Sequence, residues 1–242
     1  MKLPLFLLVT FSLLFSSAMN AQHLEFFNAG ISGNNTQDLL DRLPEVIDLG
    51  PDWVLLMVGT NDMLNSNKFV SYNDYEENLK TIVNKLQEQG ATVILISPPT
   101  VDPIYLFERH GEANFKDKPM KKLYAVQIYM EKLSKKEGVY MVDVFKEFQN
   151  KNIPIHNEDV FLMNQKNSGK RDGVHPTAEG YQLIAETIAV SLDKQQIELN
   201  GKVICFGDSI TFGMDVLGEG TVEGETYPAF LKRIVMKKNN ND

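Results

Sequence analysis

Four short motifs carry residue types that can do covalent chemistry together. Gly207-Asp208-Ser209-Ile210-Thr211 offers a hydroxyl directly after an apolar run, and Asp172-Gly173-Val174-His175-Pro176 offers an imidazole with a carboxylate three residues upstream. Ala29-Gly30-Ile31-Ser32-Gly33-Asn34-Asn35 is a glycine-rich turn, and Gly59-Thr60-Asn61-Asp62 sets an amide beside another glycine. These are the parts of a serine hydrolase. A serine becomes a good nucleophile when a base takes its proton, the base works best when a carboxylate fixes its tautomer, and the oxyanion that forms needs N–H donors. Each part also has an ordinary reading. Ser209 and Asn61 are common turn residues, and Asp208 reads better as a capping or turn carboxylate than as a catalytic one. Gly30 and Gly33 serve a turn at positive φ as readily as they expose an N–H. The carboxylate of Asp172 is what lifts His175 above an unremarkable histidine.

Distant motifs can act together only if the fold brings them to one place. Residues 24–28, 52–58, 92–96, 139–142 and 203–206 are strand candidates, and 52–58 (DWVLLMV) and 92–96 (TVILI) have the unbroken apolar character of strands buried on both faces. Helical spacing predicts helices over 36–49 with Thr36 as cap, over 73–89 ending at Gly90, and over 116–137 closed by Gly138. Two more are predicted, from Pro176 to about 193 and near 227–236. Strands separated by helices imply an α/β fold: a five-stranded parallel sheet with helices on both faces. Ligands bind beyond the carboxyl ends of such strands, and the motifs sit at those ends. Residues 98–118 form the longest irregular stretch and are expected to shape the site.

The chain has 242 residues, with 32 acidic and 24 basic side chains and a net charge of −8. That balance argues against a broad basic surface for nucleic acid. A single cysteine, Cys205, excludes an intramolecular disulfide and a multi-cysteine zinc site, and within its apolar strand it reads as inert core. Met57, Met63, Met130, Met141 and Trp53 likewise read as packing. The histidines at 23, 110, 156 and 175 lack metal-site spacing, and the first three have no recognisable partner. Lys2, an apolar run over 3–15 and small residues up to Ala21 predict a signal peptide over 1–21, followed by one domain over 22–242. The apolar run is shorter than the roughly 20 residues that span a bilayer. The expectation is an exported protein with no stable membrane insertion after cleavage.

The four motifs together resemble the SGNH (GDSL) hydrolase superfamily, and they draw on almost the whole mature chain. The stretch 28–44 (NAGISGNNTQDLLDRLP) looks closest to its exported thioesterase, lysophospholipase and esterase branch. The resemblance implies a three-layer, flavodoxin-like fold. It implies Ser209 as nucleophile, His175 as general base and Asp172 as its orienting acid. The oxyanion hole would be the N–H groups of Gly33 and Ser209 with the Asn61 side-chain amide, supported by Asp208 and Asp62. No metal or cofactor is implied. Members of the family normally begin with the serine block, which here comes last, so the resemblance implies a circularly permuted order. The sheet would then run 24–28, 203–206, 52–58, 92–96, 139–142. The activity implied is hydrolysis of carboxylic esters, with small acyl or carbohydrate O-acetyl esters ahead of lipid acyl esters. Acyl transfer to another acceptor is a third option. A non-catalytic carbohydrate-binding protein on the same fold is the rival of another class, and it has no chemical need for all five of Ser209, His175, Asp172, Asn61 and Gly33.

Overall fold

Five short apolar runs pair into a parallel sheet because each can bury both of its faces. In the computed structural model, which describes residues 24–239, the elements follow the chain as β1 (Glu25–Gly30), α1 (Thr36–Asp41), α2 (Leu43–Asp48), β2 (Trp53–Met57), α3 (Thr60–Leu64), α4 (Tyr72–Glu88), β3 (Thr92–Ile96), α5 (Pro103–His110), α6 (Pro119–Leu133), β4 (Val139–Val142), α7 (Val144–Asn150), α8 (Gln165–Ser168), α9 (Ala178–Lys194), β5 (Lys202–Gly207), α10 (Ser209–Phe212) and α11 (Tyr227–Asn239). The segment read as a signal peptide and His23 lie outside the described residues.

The sheet order is β1-β5-β2-β3-β4, all parallel, the order that the resemblance implies. Alternation along the strands sorts the core into two layers. Leu55, Met57, Ile94, Ile96, Val203 and Cys205 face Phe148 of α7, Ile184 and Ile188 of α9, and Tyr227 and Leu231 of α11. Val54, Leu56, Val93, Leu95, Ile204 and Phe206 face Leu39 of α1, Leu79 and Val83 of α4, and Val126 and Met130 of α6. Cys205 is fully buried, and burial pushes its thiol up to about 12.

Several expected elements differ. The predicted helix over 36–49 is two helices, α1 and α2, broken at Arg42 before Leu43-Pro44, because the missing N–H of Pro44 suits the first turn of a new helix. Its cap is Asn35, which accepts from Asp38 N in a reciprocal capping box, while Thr36 turns inward. The helix over 116–137 is shorter, starting with Pro119 at its first turn and ending at Leu133. The stretch 98–118 is only partly irregular: Asp102 caps α5 by accepting from Ile104 N, Pro103 occupies the first turn, and Glu112–Asn114 form a 3-10 turn. Among the described residues no helix is long and apolar enough to cross a membrane.

Candidate active site

The nucleophile candidate stands on a tight strand-to-helix turn. β5 ends at Gly207, Asp208 caps α10 by accepting from Ile210 N at 2.9 Å, and Ser209 is the first helical residue. A side chain at Gly207 would strike Met57 O and Thr211 Oγ1, each at 2.3 Å from its Cβ, so glycine is required for the turn to lie against β2. Being first in its helix, the Ser209 N–H has no intrahelical acceptor.

Ser209 Oγ lies 2.9 Å from His175 Nε2, and His175 Nδ1 lies 2.9 Å from Asp172 Oδ2. An ionised carboxylate only accepts, so Nδ1 carries the ring proton and Nε2 faces the hydroxyl with a lone pair. Asp172 Oδ1 accepts from the backbone N–H groups of Val174 and His175 at 2.8 and 2.7 Å. Burial works to raise the Asp172 pKa, but the His175 bond and the Arg109 charge outweigh it and hold the carboxyl well below the usual range. The loop is fixed through Gly173, whose φ of +69° and close approach to Asp102 and Tyr105 exclude a side chain.

The Gly33 turn, Asn61 and Ser209 meet at one corner of a cavity of about 340 Å³, with His175 beside them. Gly33 has φ +81°, and among the described residues neither its N–H nor that of Ser209 has a protein acceptor. Asn61 Nδ2 donates to Asn34 O at 3.0 Å and lies 3.5 Å from Asp208 Oδ2, while Asn61 Oδ1 accepts from Asn65 Nδ2. Gly30 is a different case from Gly33. Its N–H donates to Asn28 Oδ1, and its φ is not positive. It is glycine because a Cβ there would sit 2.1 Å from Phe212 N.

Both supporting carboxylates are buried. Asp62 accepts from the N–H and hydroxyl of Thr36, tying α3 to α1, and burial raises it to about 6. Burial raises Asp208 to about 7.

Three side chains that the motifs did not reveal complete the surroundings. Arg109, at the end of α5, donates through Nη2 to Asp172 O at 2.7 Å and Asp172 Oδ2 at 3.2 Å, and it lines the cavity. His110, also on the cavity wall, accepts at Nδ1 from Ser66 N, which puts its ring proton on Nε2 in the neutral form. Arg42, between α1 and α2, donates to Ala29 O near the end of β1 and to Gly207 O at the end of β5. Asp102-Pro103 is a cap followed by a first-turn proline, and that signal, read as such, would have placed Arg109 and His110 on a helix. Of the other histidines, His156 Nδ1 lies 2.6 Å from Asp102 Oδ2, away from the cavity lining.

With this geometry established, known proteins supply the context. The model of the GDSL-like Lipase/Acylhydrolase family matches residues 14–183. An acetylxylan esterase of Geobacillus stearothermophilus is 37% identical over 79 residues, spanning 29% of this chain and 36% of that protein's length. An arylesterase of Vibrio mimicus is 26% identical over 178 residues, 72% of this chain and 73% of that one. Among solved structures, a lipase/acylhydrolase from Enterococcus faecalis shares the fold with a TM-score of 0.52 at 24% identity, over 67% of this chain and 72% of that one.

Proposed function

The chain belongs to the GDSL-like lipase/acylhydrolase family, a family of ester hydrolases, and from that premise we propose that it cleaves carboxylic esters of small acyl groups, carbohydrate O-acetyl esters foremost, with Ser209, His175 and Asp172. The observation that carries this reading is the continuous relay from Ser209 Oγ through His175 to Asp172, opening on the cavity. His175 Nε2 takes the Ser209 proton as Oγ attacks the acyl carbon. The oxyanion is held by the N–H groups of Gly33 and Ser209 and by Asn61 Nδ2, whose 3.5 Å contact with Asp208 is long enough to be redirected. His175 then protonates the leaving alcohol, and water activated by the same ring releases the acid.

The preference for small acyl groups is supported by the modest size of the cavity, in which Asn67, Arg109 and His110 stand beside Leu64, Leu106, Val174 and Met214 and could meet a carbohydrate. The name of the acetylxylan esterase that part of this chain is similar to points the same way. The test is initial rates on p-nitrophenyl esters from acetyl to long acyl. The expected result is a rate highest for acetyl that falls on the order of 10⁶-fold in Ser209→Ala. Turnover independent of Ser209 would overturn the mechanism, and a rate rising with acyl length would favour lipid esters.

Two further readings belong with this one. The serine block would be the family's first block moved to the chain's end. Supporting it, Ser209 follows the last strand in sequence, which lies second in the sheet, and the family match ends at residue 183. Residues 1–21 would direct export of the domain over 22–242, on the strength of their signal-peptide pattern.

A further inference from the structure

We infer that Arg42 is a positioning residue that locks the three oxyanion donors into one frame, an inference that rests on the reading of Ser209 as nucleophile. Arg42 is half-buried between α1 and α2. Its Nη2 donates to Ala29 O and to Gly207 O, both at 2.9 Å, and its Nε donates to Asn34 Oδ1 at 2.6 Å. Its guanidinium carbon stands 4.5 Å from the centre of the Phe206 ring. The planar fork is thus fixed by three acceptors and one aromatic face, a geometry lysine cannot reproduce.

What the three acceptors share is their relation to the oxyanion corner. Gly207 lies two residues before Ser209, at the end of the strand that delivers it. Asn34 follows Gly33 directly, and its carbonyl accepts from Asn61 Nδ2 at 3.0 Å. Ala29 belongs to β1, the strand that leads into the Gly33 turn. Each donor is therefore within two residues, or one hydrogen bond, of a group the guanidinium holds. The β1 and β5 ladder ends at Gly30 and Gly207, and Ile31 N still donates to Gly207 O at 3.1 Å just past it. Arg42 ties the ends of both strands to the Asn34 side chain in the turn beyond them. Burial depresses its pKa to about 10, which still leaves it charged at neutral pH. A displacement of even one donor matters because oxyanion contacts act mainly in the transition state.

The experiment is steady-state kinetics on p-nitrophenyl acetate, with rates expressed per active site titrated by a fluorophosphonate. Arg42→Met should lower kcat about 10²-fold with KM changed less than about threefold, the pattern of a contact realised in the transition state. Arg42→Lys should recover part of that loss. Combined with Asn61→Ala, Arg42→Met should add little to the slower single variant, because both damage one device. Wild-type kcat per titrated site, losses that multiply in the double variant, or an effect on KM alone would each overturn the inference. Should Arg42→Met fail to fold, Asn34→Ala removes only the acceptor of Nε. It should cost about tenfold in kcat, again without multiplying the Asn61→Ala loss, and unchanged turnover there would sink the idea equally. Absence of Ser209-dependent turnover in the wild-type protein would instead remove the esterase reading itself.

Discussion

Asp62 and Asp208 lie beneath the oxyanion corner in a place where a carboxylate is costly to ionise. Burial raises them to about 6 and about 7, whereas Asp172, with His175 and Arg109 as partners, is held in the opposite direction. Between about pH 4 and pH 7 the folded chain keeps protons on Asp62 and Asp208 that an unfolded chain would release. Their contribution to stability is therefore present at mildly acid pH and lost as pH rises through 6 to 7. The Asp172 contribution has the opposite sign, present above the ordinary carboxylate pKa and lost at strongly acid pH. Melting temperature should accordingly fall between about pH 5 and pH 7 and level off above it. Asp208→Asn should flatten that fall, since asparagine caps α10 as well and has no charge to bury. An unchanged slope in the variant would refute this account. The cap itself was legible in the sequence, because capping is a matter of neighbouring residues. The roles of Arg42 and Arg109 were not, because Gly207 lies 165 residues from Arg42 and Asp172 lies 63 from Arg109, and no local pattern marks those pairings.

Element by element, legibility followed length and hydrophobic continuity. β3 and β4 lie at their predicted residues because a strand buried on both faces is an unbroken apolar run. α3, α7, α8 and α10 span two turns or fewer and carry no periodicity to read, yet α3 and α10 present Asn61 and Ser209. What positions α10 is contact with β1. Asn28 Nδ2 donates to Thr211 O at 2.9 Å, and Gly30 leaves room for the backbone of Phe212. Gly30→Ala would force backbone apart from backbone, which side-chain repacking cannot relieve. We expect it to lower the melting temperature by about 3–10 °C, from an overpacking cost of about 1–3 kcal/mol. Turnover per folded molecule should fall at least about tenfold as Ser209 moves from His175. A Gly30→Ala protein with normal melting and normal rate would show that α10 is held by other means.

At the scale of the molecule, the strand order was legible only through the family resemblance, because motifs at the carboxyl ends of parallel strands do not by themselves say which strands are neighbours. The result is a sheet whose last-made strand, β5, pairs with β1 on one side and β2 on the other. A chain ending at Asn200 would leave those two strands without their shared partner and remove one wall from each half of the core. We predict that a fragment over 22–200 does not unfold cooperatively. A soluble fragment with a sharp thermal transition would contradict this. The same placement gives the lone thiol an unplanned use. Cys205 is buried at the middle of β5, and its high pKa leaves almost no thiolate at neutral pH. Its side chain faces α9 and α11, so a thiol reagent can modify it only in molecules where that helical layer has come away from the sheet. Its labelling rate is therefore a clock for the opening of the layer that covers the strand leading to Ser209.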